Sequence, residues 1–173
     1  MRLIGKKAFN IISFLRYNKI AGSNTAGWGN VKIYLDNCCY NRPYDDQSNI
    51  FNFVETEAKL AIQQMIKDKT VEMVWSDVLD FENNDNPFEE RRLEIAKWRE
   101  LASEIIELDD TIIEKARNLM DVGLRQKDAS HIACAISANT DYFITVDKKI
   151  INKPIQNIVV VNPLDFLRRT VND

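Results

Sequence analysis

The sequence has few of the residues and runs that mark disulfide-rich, zinc-binding or membrane-spanning proteins. Its 173 residues include three cysteines, Cys38, Cys39 and Cys134, an odd number without the C-x-x-C spacing of a zinc site. We therefore expect free thiols in a reducing compartment, and hence a cytoplasmic protein. No run of apolar residues approaches the roughly 20 that a membrane-spanning helix needs, so no transmembrane segment is predicted.

The sequence also has little histidine and a small net charge. The only histidine is His131, and the formal net charge is −3. A lone histidine of this kind is more often a hydrogen-bonded structural residue than a metal ligand or a base, and we interpret His131 in that way. A net charge this small gives no sign that the whole surface binds nucleic acid, so any surface that contacts RNA has to be local.

Basic residues are concentrated at the start of the chain. Residues 1–30 contain five of the 23 basic residues and none of the 26 acidic ones. Gly22, Gly27 and Gly29 lie in a stretch that is typical of a linker. We therefore divide the chain into a basic N-terminal extension with a Gly-rich linker, 1–30, and one domain, 31–173. The extension is either a loose tail or an arm that contacts RNA or a membrane surface.

From residue 31 onward the pattern alternates between strands and helices. The predicted strands are V-K-I-Y-L, T-V-E-M-V-W, Y-F-I-T-V and I-V-V-V. Helices are predicted over 50–68 and over 86–107, the second with a proline at its start. A short helix is predicted to begin behind the N-cap Ser76, and another helix is predicted to end at Gly123. A further helix is predicted over 128–138. Strands that alternate with helices predict an α/β fold in which a mainly parallel sheet is covered on both faces.

Two aspartates directly follow predicted strands. Asp36 comes after V-K-I-Y-L, and Asp147 comes after Y-F-I-T-V. In open parallel sheets, functional sites form at the carboxyl ends of the strands, so both positions are candidates. Asp141 begins the second of these strands and is expected at the opposite edge of the sheet, which excludes it.

Helix phase selects one further carboxylate in the helix behind Ser76. We place the apolar face of this helix at Val78, Leu79 and Phe81. Glu82 lies within that face, whereas Asp77 and Asp80 point away. A carboxylate on a buried stripe is costly unless it is paired or binds a cation. Glu82 is therefore a candidate site residue.

Asp128 lies in the first turn of a later helix, at the edge of its buried face. An aspartate at this position is either an N-cap or a carboxylate directed at the same edge of the sheet. If Asp36, Glu82, Asp128 and Asp147 converge, they repel one another and raise their own pKa values. A hard divalent cation, Mg²⁺ or Mn²⁺, offsets this repulsion and can activate water near a phosphodiester.

Four stretches that carry these acids resemble the motifs of PIN domains, the nuclease folds that supply the toxins of VapBC-type toxin–antitoxin modules. They are V-K-I-Y-L-D-N-C-C-Y-N-R-P, V-W-S-D-V-L-D-F-E, K-D-A-S-H-I-A-C-A-I and D-Y-F-I-T-V-D. The resemblance implies a three-layer α/β/α sandwich with a mainly parallel central sheet. It also implies Mg²⁺- or Mn²⁺-dependent RNA cleavage, homodimers, and inhibition by a cognate antitoxin protein.

The resemblance also assigns roles to the four acids. Asp36, Glu82 and Asp128 would hold the metal directly or through water, and Asp147 would complete the site or position the attacking water. One departure is Asn37, since many family members have threonine after the first aspartate. Another is the charged segment 83–107, which is an expected interaction surface.

Basic residues flank the acidic positions in sequence and are either phosphate contacts or solvated surface charges. They are Arg42, Arg125, Lys127 and Lys148, with Lys149 beside the last of these. The sequence thus predicts a metal-dependent endoribonuclease of PIN type, the toxin component of a type II toxin–antitoxin system. The alternative is a non-catalytic PIN-like module that binds RNA or protein, because a fold does not guarantee a reaction.

Overall fold

The structure is a computed structural model that describes residues 31–171, so the expectations for 1–30 lie outside the described residues. Its centre is a five-stranded, all-parallel sheet with the strand order β3-β2-β1-β4-β5. The strands are β1 (Lys32–Leu35), β2 (Glu72–Ser76), β3 (Glu104–Ile106), β4 (Tyr142–Ile144) and β5 (Val159–Val161). The helices are α1 (Asn37–Asn41), α2 (Ile50–Lys67), α3 (Asp77–Asn84), α4 (Glu89–Ala96), α5 (Asp110–Asp121), α6 (Gln126–Ser137), α7 (Lys148–Ile151) and α8 (Pro163–Val171), with 3-10 turns at Arg42–Tyr44 and Lys97–Leu101.

Helices cover both faces of the sheet. Helices α2 and α8 pack against each other on one face, and α5 and α6 pack against each other on the other. The chain passes from β1 through β2 to β3 on one side of the sheet, and the connection from β3 then returns to β4 on the other side of β1. The predicted three-layer α/β/α sandwich is confirmed, and the described sheet is parallel throughout.

The central strand β1 is buried on both of its faces. Ile33, Tyr34 and Leu35 are each 0% exposed, as expected for a parallel strand between two helical layers. Because side chains alternate along a strand, Tyr34 points to the opposite layer from its two neighbours. The Tyr34 ring stacks on Phe143 of β4 and meets His131 of α6 edge-on, so Tyr34 faces the layer that contains α6.

Several helix ends are where the sequence predicts them. The Ser76 side chain accepts a hydrogen bond from Leu79 N at 3.4 Å and caps α3. Gly123 follows α5 with φ +88°, a conformation that favours glycine. A Cβ at this position would also lie only 2.8 Å from Lys153 Nζ.

The predicted long helix over 86–107 is wrong. The segment forms α4, a 3-10 turn that ends at Leu101, and the edge strand β3. In β3, Ile105 pairs with Trp75 and Ile106 pairs with Ser76 of β2. The helical periodicity of the segment was a local signal, and pairing of the β-branched residues with an existing sheet edge outweighs it.

The assignment of Phe81 to the apolar face of α3 is also wrong, since this side chain is 65% exposed. Val78 and Leu79 of the predicted face are buried, as is Asn83, so the inward face is rotated away from Phe81. Glu82 still lies on the inward side and is partly buried. The amide of Asn83 donates to Arg92 O at 2.9 Å, and this bond holds α4 against α3.

The strand order reverses direction between β1 and β4. Crevices outside the carboxyl ends of the strands at such a reversal are the usual ligand sites of open α/β sheets. Asp36 follows β1 and Asp147 lies shortly after β4, both at this edge. Within the described residues, no helix is long and apolar enough to cross a membrane.

Candidate metal centre

Asp36 lies at the carboxyl end of β1 and is 7% exposed. Its carboxylate atom Oδ2 accepts hydrogen bonds from Thr145 Oγ1 at 2.7 Å and from Cys38 Sγ at 2.9 Å. Its backbone N donates to Ile144 O at 2.9 Å, which ties the end of β1 to β4. Both side-chain bonds go to Oδ2, so Oδ1 is the oxygen that remains for a ligand among the described contacts.

Thr145 also links Asp36 to Asp147. Its hydroxyl oxygen accepts a hydrogen bond from Asp147 N at 3.1 Å while it donates to Asp36. Asp147 in turn caps α7, because its Oδ1 accepts from Lys149 N at 2.7 Å. One buried hydroxyl therefore sets the positions of two of the four predicted acids relative to each other.

Glu82 reaches the same region from α3. Its Oε2 lies 2.7 Å from His131 Nε2, and its side chain is 27% exposed. Burial would raise the pKa of Glu82, but the hydrogen bond and charge of His131, together with Lys127 and Asn37, outweigh burial and lower it. Glu82 is therefore a carboxylate near neutral pH.

His131 is held from its other side by a chain of buried hydroxyl groups. Its Nδ1 lies 2.8 Å from the Tyr34 hydroxyl, which lies 2.6 Å from Ser76 Oγ. Tyr34 and Ser76 are 0% exposed and His131 is 2% exposed. The hydrogen-bonded role predicted for His131 therefore agrees with its contacts, and its carboxylate partner is Glu82.

Asp128 lies in the first turn of α6 and is half-buried. Burial raises its pKa above the usual value, and the negative charges of Asp36 and Asp147 raise it further. The charges of His131 and Arg125 act in the opposite direction without cancelling this effect. Asp128 does not cap α6, because the N-cap position is Arg125.

The geometry fits a cation, but the tightest group of possible ligands differs from the predicted set. One ligand atom from each of Asp36, Glu82 and His131 lies within 4.8 Å of the others. Asp128 and Asp147 lie outside this group, although the negative charges of Asp36 and Asp147 raise the pKa of Asp128. Carboxylate oxygens and a raised acid pKa are what a site for Mg²⁺ or Mn²⁺ offers before it binds the ion.

Asn37, the departure from the threonine of many PIN domains, is buried and contributes to the site. Its side chain interacts with Glu82 and helps to lower the pKa of that carboxyl. Asn41, one turn later in α1, donates from Nδ2 to Asn37 Oδ1 at 3.3 Å. The side-chain amide of Asn37 therefore interacts with Glu82 and with Asn41.

The predicted RNA contacts fall into two groups. Arg42 is engaged within the domain, with Nη1 2.8 Å from Asp45 Oδ2 and 3.0 Å from Asn52 Oδ1. Its Nε lies 3.0 Å from Glu55 Oε2, an ion pair outside hydrogen-bond geometry. The other three, Arg125, Lys127 and Lys148, are exposed.

The three cysteines are free thiols, as predicted. Cys38 donates to Asp36, and its pKa is raised well above the usual value by the neighbouring Cys39, by burial and by Asp36. Cys39 and Cys134 are buried. Cys38 is therefore a neutral hydrogen-bond donor to the site and not a thiolate ligand.

Sequence reasoning missed the hydroxyl groups of Thr145, Tyr34 and Ser76 as parts of the site. Ser76 was predicted only as a helix cap, and Tyr34 only as a strand residue. The available signal was position, since Thr145 precedes Asp147 by two residues and Ser76 ends β2 at the same sheet edge as Asp36. The contact with Glu82 was the missing part of the interpretation of His131.

No protein-family model matches the sequence, and no curated protein matches it. Two solved structures to which the chain is similar are FitAcB from Neisseria gonorrhoeae and VapBC2 from Rickettsia felis bound to a DNA fragment from their promoter. The first is 15% identical, covers 76% of this chain and 98% of its own, and has a TM-score of 0.49. The second has the same identity and coverage, 15%, 76% and 98%, with a TM-score of 0.45.

Proposed function

We propose that the protein is a metal-dependent endoribonuclease of PIN type and the toxin component of a type II toxin–antitoxin system. The observation that carries the proposal is the group formed by Asp36, Glu82 and His131, whose ligand atoms lie within 4.8 Å of one another at the carboxyl edge of the sheet. The order of the four acidic motifs along the chain supports the same function.

In this function Asp36, Glu82 and Asp128 hold Mg²⁺ or Mn²⁺, directly or through water. The bound ion supplies a Lewis acid that lowers the pKa of water and neutralises charge on a phosphodiester. The residues of the chain provide the negative charge that attracts the ion. The raised pKa of Asp128 supports this role, because a carboxyl that is destabilised by its acidic neighbours is stabilised when a cation joins them.

Asp147 is proposed to complete the site by positioning the attacking water. Its Oδ1 is occupied by Lys149 N, which leaves Oδ2 for a water molecule among its described contacts. The link through Thr145 keeps Asp147 in register with Asp36. A water held by Asp147 would thus keep a constant distance from an ion held by Asp36.

Arg125, Lys127 and Lys148 are proposed to contact RNA phosphates. All three are exposed, and each lies within three residues of Asp128 or Asp147 in the sequence. Charges in this position would hold the strand across the site and make binding dependent on salt. Arg42 is proposed to be structural, because its guanidinium already pairs with Asp45 and Glu55.

The test is an RNA cleavage assay on the full chain with several single-stranded and structured RNAs. Each RNA is incubated with Mg²⁺, with Mn²⁺ or with a chelator. We expect internal cleavage in the presence of either ion and none with the chelator. RNA binding without cleavage under all conditions would instead support the non-catalytic PIN-like module.

The toxin role has its own test, which uses the neighbouring gene. A small DNA-binding protein encoded just upstream is the expected antitoxin. Co-expression should yield a stable complex in which RNA cleavage is suppressed. If RNA is cleaved at the same rate with and without that protein, the toxin role is wrong and only the ribonuclease activity stands.

A further inference from the structure

We propose that His131 positions Glu82 for the metal and is not itself a ligand, and that the buried Tyr34 hydroxyl group holds His131 in this role. The inference deepens the proposed function and rests on it, since it concerns the same metal centre. It also decides whether His131 is a ligand or a positioning residue in the Asp36–Glu82–His131 group, where His131 offers one of the three candidate ligand atoms.

The direction of the hydrogen bonds gives Nε2 a proton. A glutamate carboxyl is ordinarily ionised at neutral pH, and a carboxylate can only accept hydrogen bonds. The 2.7 Å contact therefore requires that Nε2 donates to Glu82. A ring nitrogen that carries a proton has no lone pair for a metal, and the bond at the other nitrogen helps to fix this state.

The hydroxyl groups of Ser76 and Tyr34, which follow the His131 ring in the hydrogen-bonded series, are consistent with a proton on Nε2. Leu79 N donates to Ser76 Oγ, which leaves the Ser76 hydroxyl free to donate to Tyr34. The Tyr34 hydroxyl can then donate to His131 Nδ1 at 2.8 Å. The hydroxyl chain therefore accommodates the tautomer with the proton on Nε2, which the contact with the Glu82 carboxylate requires.

The hydrogen bond between the two side chains also argues against ligation by His131 in this arrangement. The His131 Nε2–Glu82 Oε2 separation is 2.7 Å, which is a direct hydrogen bond. An ion shared by these two atoms would have to break that bond.

The consequence is that a hydroxyl group remote from the ion controls metal affinity. Partners that orient a metal ligand typically contribute about 10-fold to 100-fold to affinity. Tyr34→Phe removes the hydroxyl and keeps the ring that stacks on Phe143. Glu82 then depends on a histidine whose orientation and tautomer are no longer fixed.

The chain contains a matched control in Tyr40. This residue is 1% exposed, and its hydroxyl donates to Met73 Sδ at 3.1 Å. Tyr40→Phe therefore removes a buried tyrosine hydroxyl that has no bond to the metal centre. Tyr34→Phe loses the bonds to Ser76 and His131, whereas Tyr40→Phe loses a bond to Met73 only. A loss of Mn²⁺ affinity confined to Tyr34→Phe therefore reports on the hydroxyl chain that leads to the metal centre.

The experiment is a Mn²⁺ titration of the full chain and both variants by calorimetry, with thermal unfolding of each metal-free protein. We expect Tyr34→Phe to weaken Mn²⁺ binding about 10-fold and Tyr40→Phe to leave it unchanged. Equal Mn²⁺ affinity for Tyr34→Phe and the wild type would overturn the inference. If the wild type binds no Mn²⁺, the proposed function fails, and the inference fails with it.

A second measurement uses the wild-type protein and therefore needs no variant to fold. Pulsed electron paramagnetic resonance of the Mn²⁺-loaded chain detects nitrogen atoms that are bound directly to the ion. We expect no directly bound imidazole nitrogen. A nitrogen coupling typical of a ligating imidazole would overturn the positioning role, because His131 is the only histidine in the chain.

Discussion

Thr145 Oγ1 lies 2.7 Å from Asp36 Oδ2, so a buried hydroxyl just beyond β4 donates to the carboxylate that ends β1. The same oxygen accepts from Asp147 N at 3.1 Å. Thr145 is 0% exposed. A side chain that is not an acid therefore joins two acids of the candidate metal centre.

Replacing Thr145 by valine should weaken both the fold and the metal site. Thr145→Val keeps the shape but leaves Asp36 and Asp147 N without their shared partner. We expect a loss of about 2 kcal/mol in the free energy of unfolding, because one of the bonds goes to a charged group. We also expect Mn²⁺ affinity to fall about 10-fold. Urea unfolding and calorimetric titration measure the two effects.

Thr140→Val is the control for this change. Thr140 is also buried, and its hydroxyl donates to Ala135 O at 2.9 Å, just after the end of α6 and away from the acids. It should lose about 1 kcal/mol of stability without a change in Mn²⁺ affinity. Equal losses of Mn²⁺ affinity in the two variants would contradict the role of Thr145.

Asp128→Asn should stabilise the metal-free protein at neutral pH. The pKa of Asp128 is raised in the folded state by burial and by Asp36 and Asp147, so its ionised form costs stability there. This cost is present above the folded-state pKa and is lost as the pH falls through that value towards the unfolded one. The Tm of metal-free Asp128→Asn should therefore exceed that of the wild type at pH 7, and the difference should shrink in acid.

With added Mg²⁺, the Tm of the wild type should exceed that of Asp128→Asn. The wild type should gain stability when the ion binds, whereas Asp128→Asn lacks one of the proposed ligands and should gain less. Thermal unfolding with and without Mg²⁺ at pH 7 measures this. A metal-free Asp128→Asn protein that is less stable than the wild type at pH 7 would show that Asp128 is a structural acid and not part of a repelling cluster.

Lys148 and Arg42 should respond differently to removal of their charge. RNA binding is best measured in the Asp36→Asn background, where cleavage does not interfere. We expect Lys148→Ala to weaken RNA binding for all sequences alike and to reduce the salt slope by about 1. Arg42→Ala should leave RNA binding unchanged but lower the Tm, because it removes the ion pairs to Asp45 and Glu55. If Arg42→Ala weakened RNA binding and Lys148→Ala did not, Arg42 and not Lys148 would be the phosphate contact.

The sequence was sufficient to predict four of the five strands of the described sheet and the edge at which Asp36 lies. Asp36 and Asp147 follow β-branched stretches, and a strand's direction determines which edge its carboxyl end reaches. Glu82 was identified by helix phase, even though the exposed Phe81 shows that the phase was wrong by a fraction of a turn. Local patterns of this kind contain the information needed for strand ends and helix faces.

The hydrogen-bond partners of the acids could not be predicted in the same way. Tyr34 and His131 are 97 positions apart, and Thr145 and Asp36 are 109 apart. Their contacts depend on β1 lying beside β4, a pairing that no local periodicity specifies. The edge strand β3 was missed for a related reason, since Ile105 and Ile106 form a strand only because β2 offers them a partner.

The central claim is that the acids at the carboxyl edge of the sheet bind a metal ion on which RNA cleavage by the protein depends. The variant Asp36→Asn tests this claim most directly. Asp110→Asn is the control, because Asp110 is exposed in the first turn of α5, outside the candidate metal centre. Both variants should fold, with circular dichroism spectra like that of the wild type. We predict that Asp36→Asn loses Mg²⁺-dependent RNA cleavage by about 100-fold or more, while Asp110→Asn cleaves at the wild-type rate. Cleavage by Asp36→Asn at the wild-type rate would contradict the account.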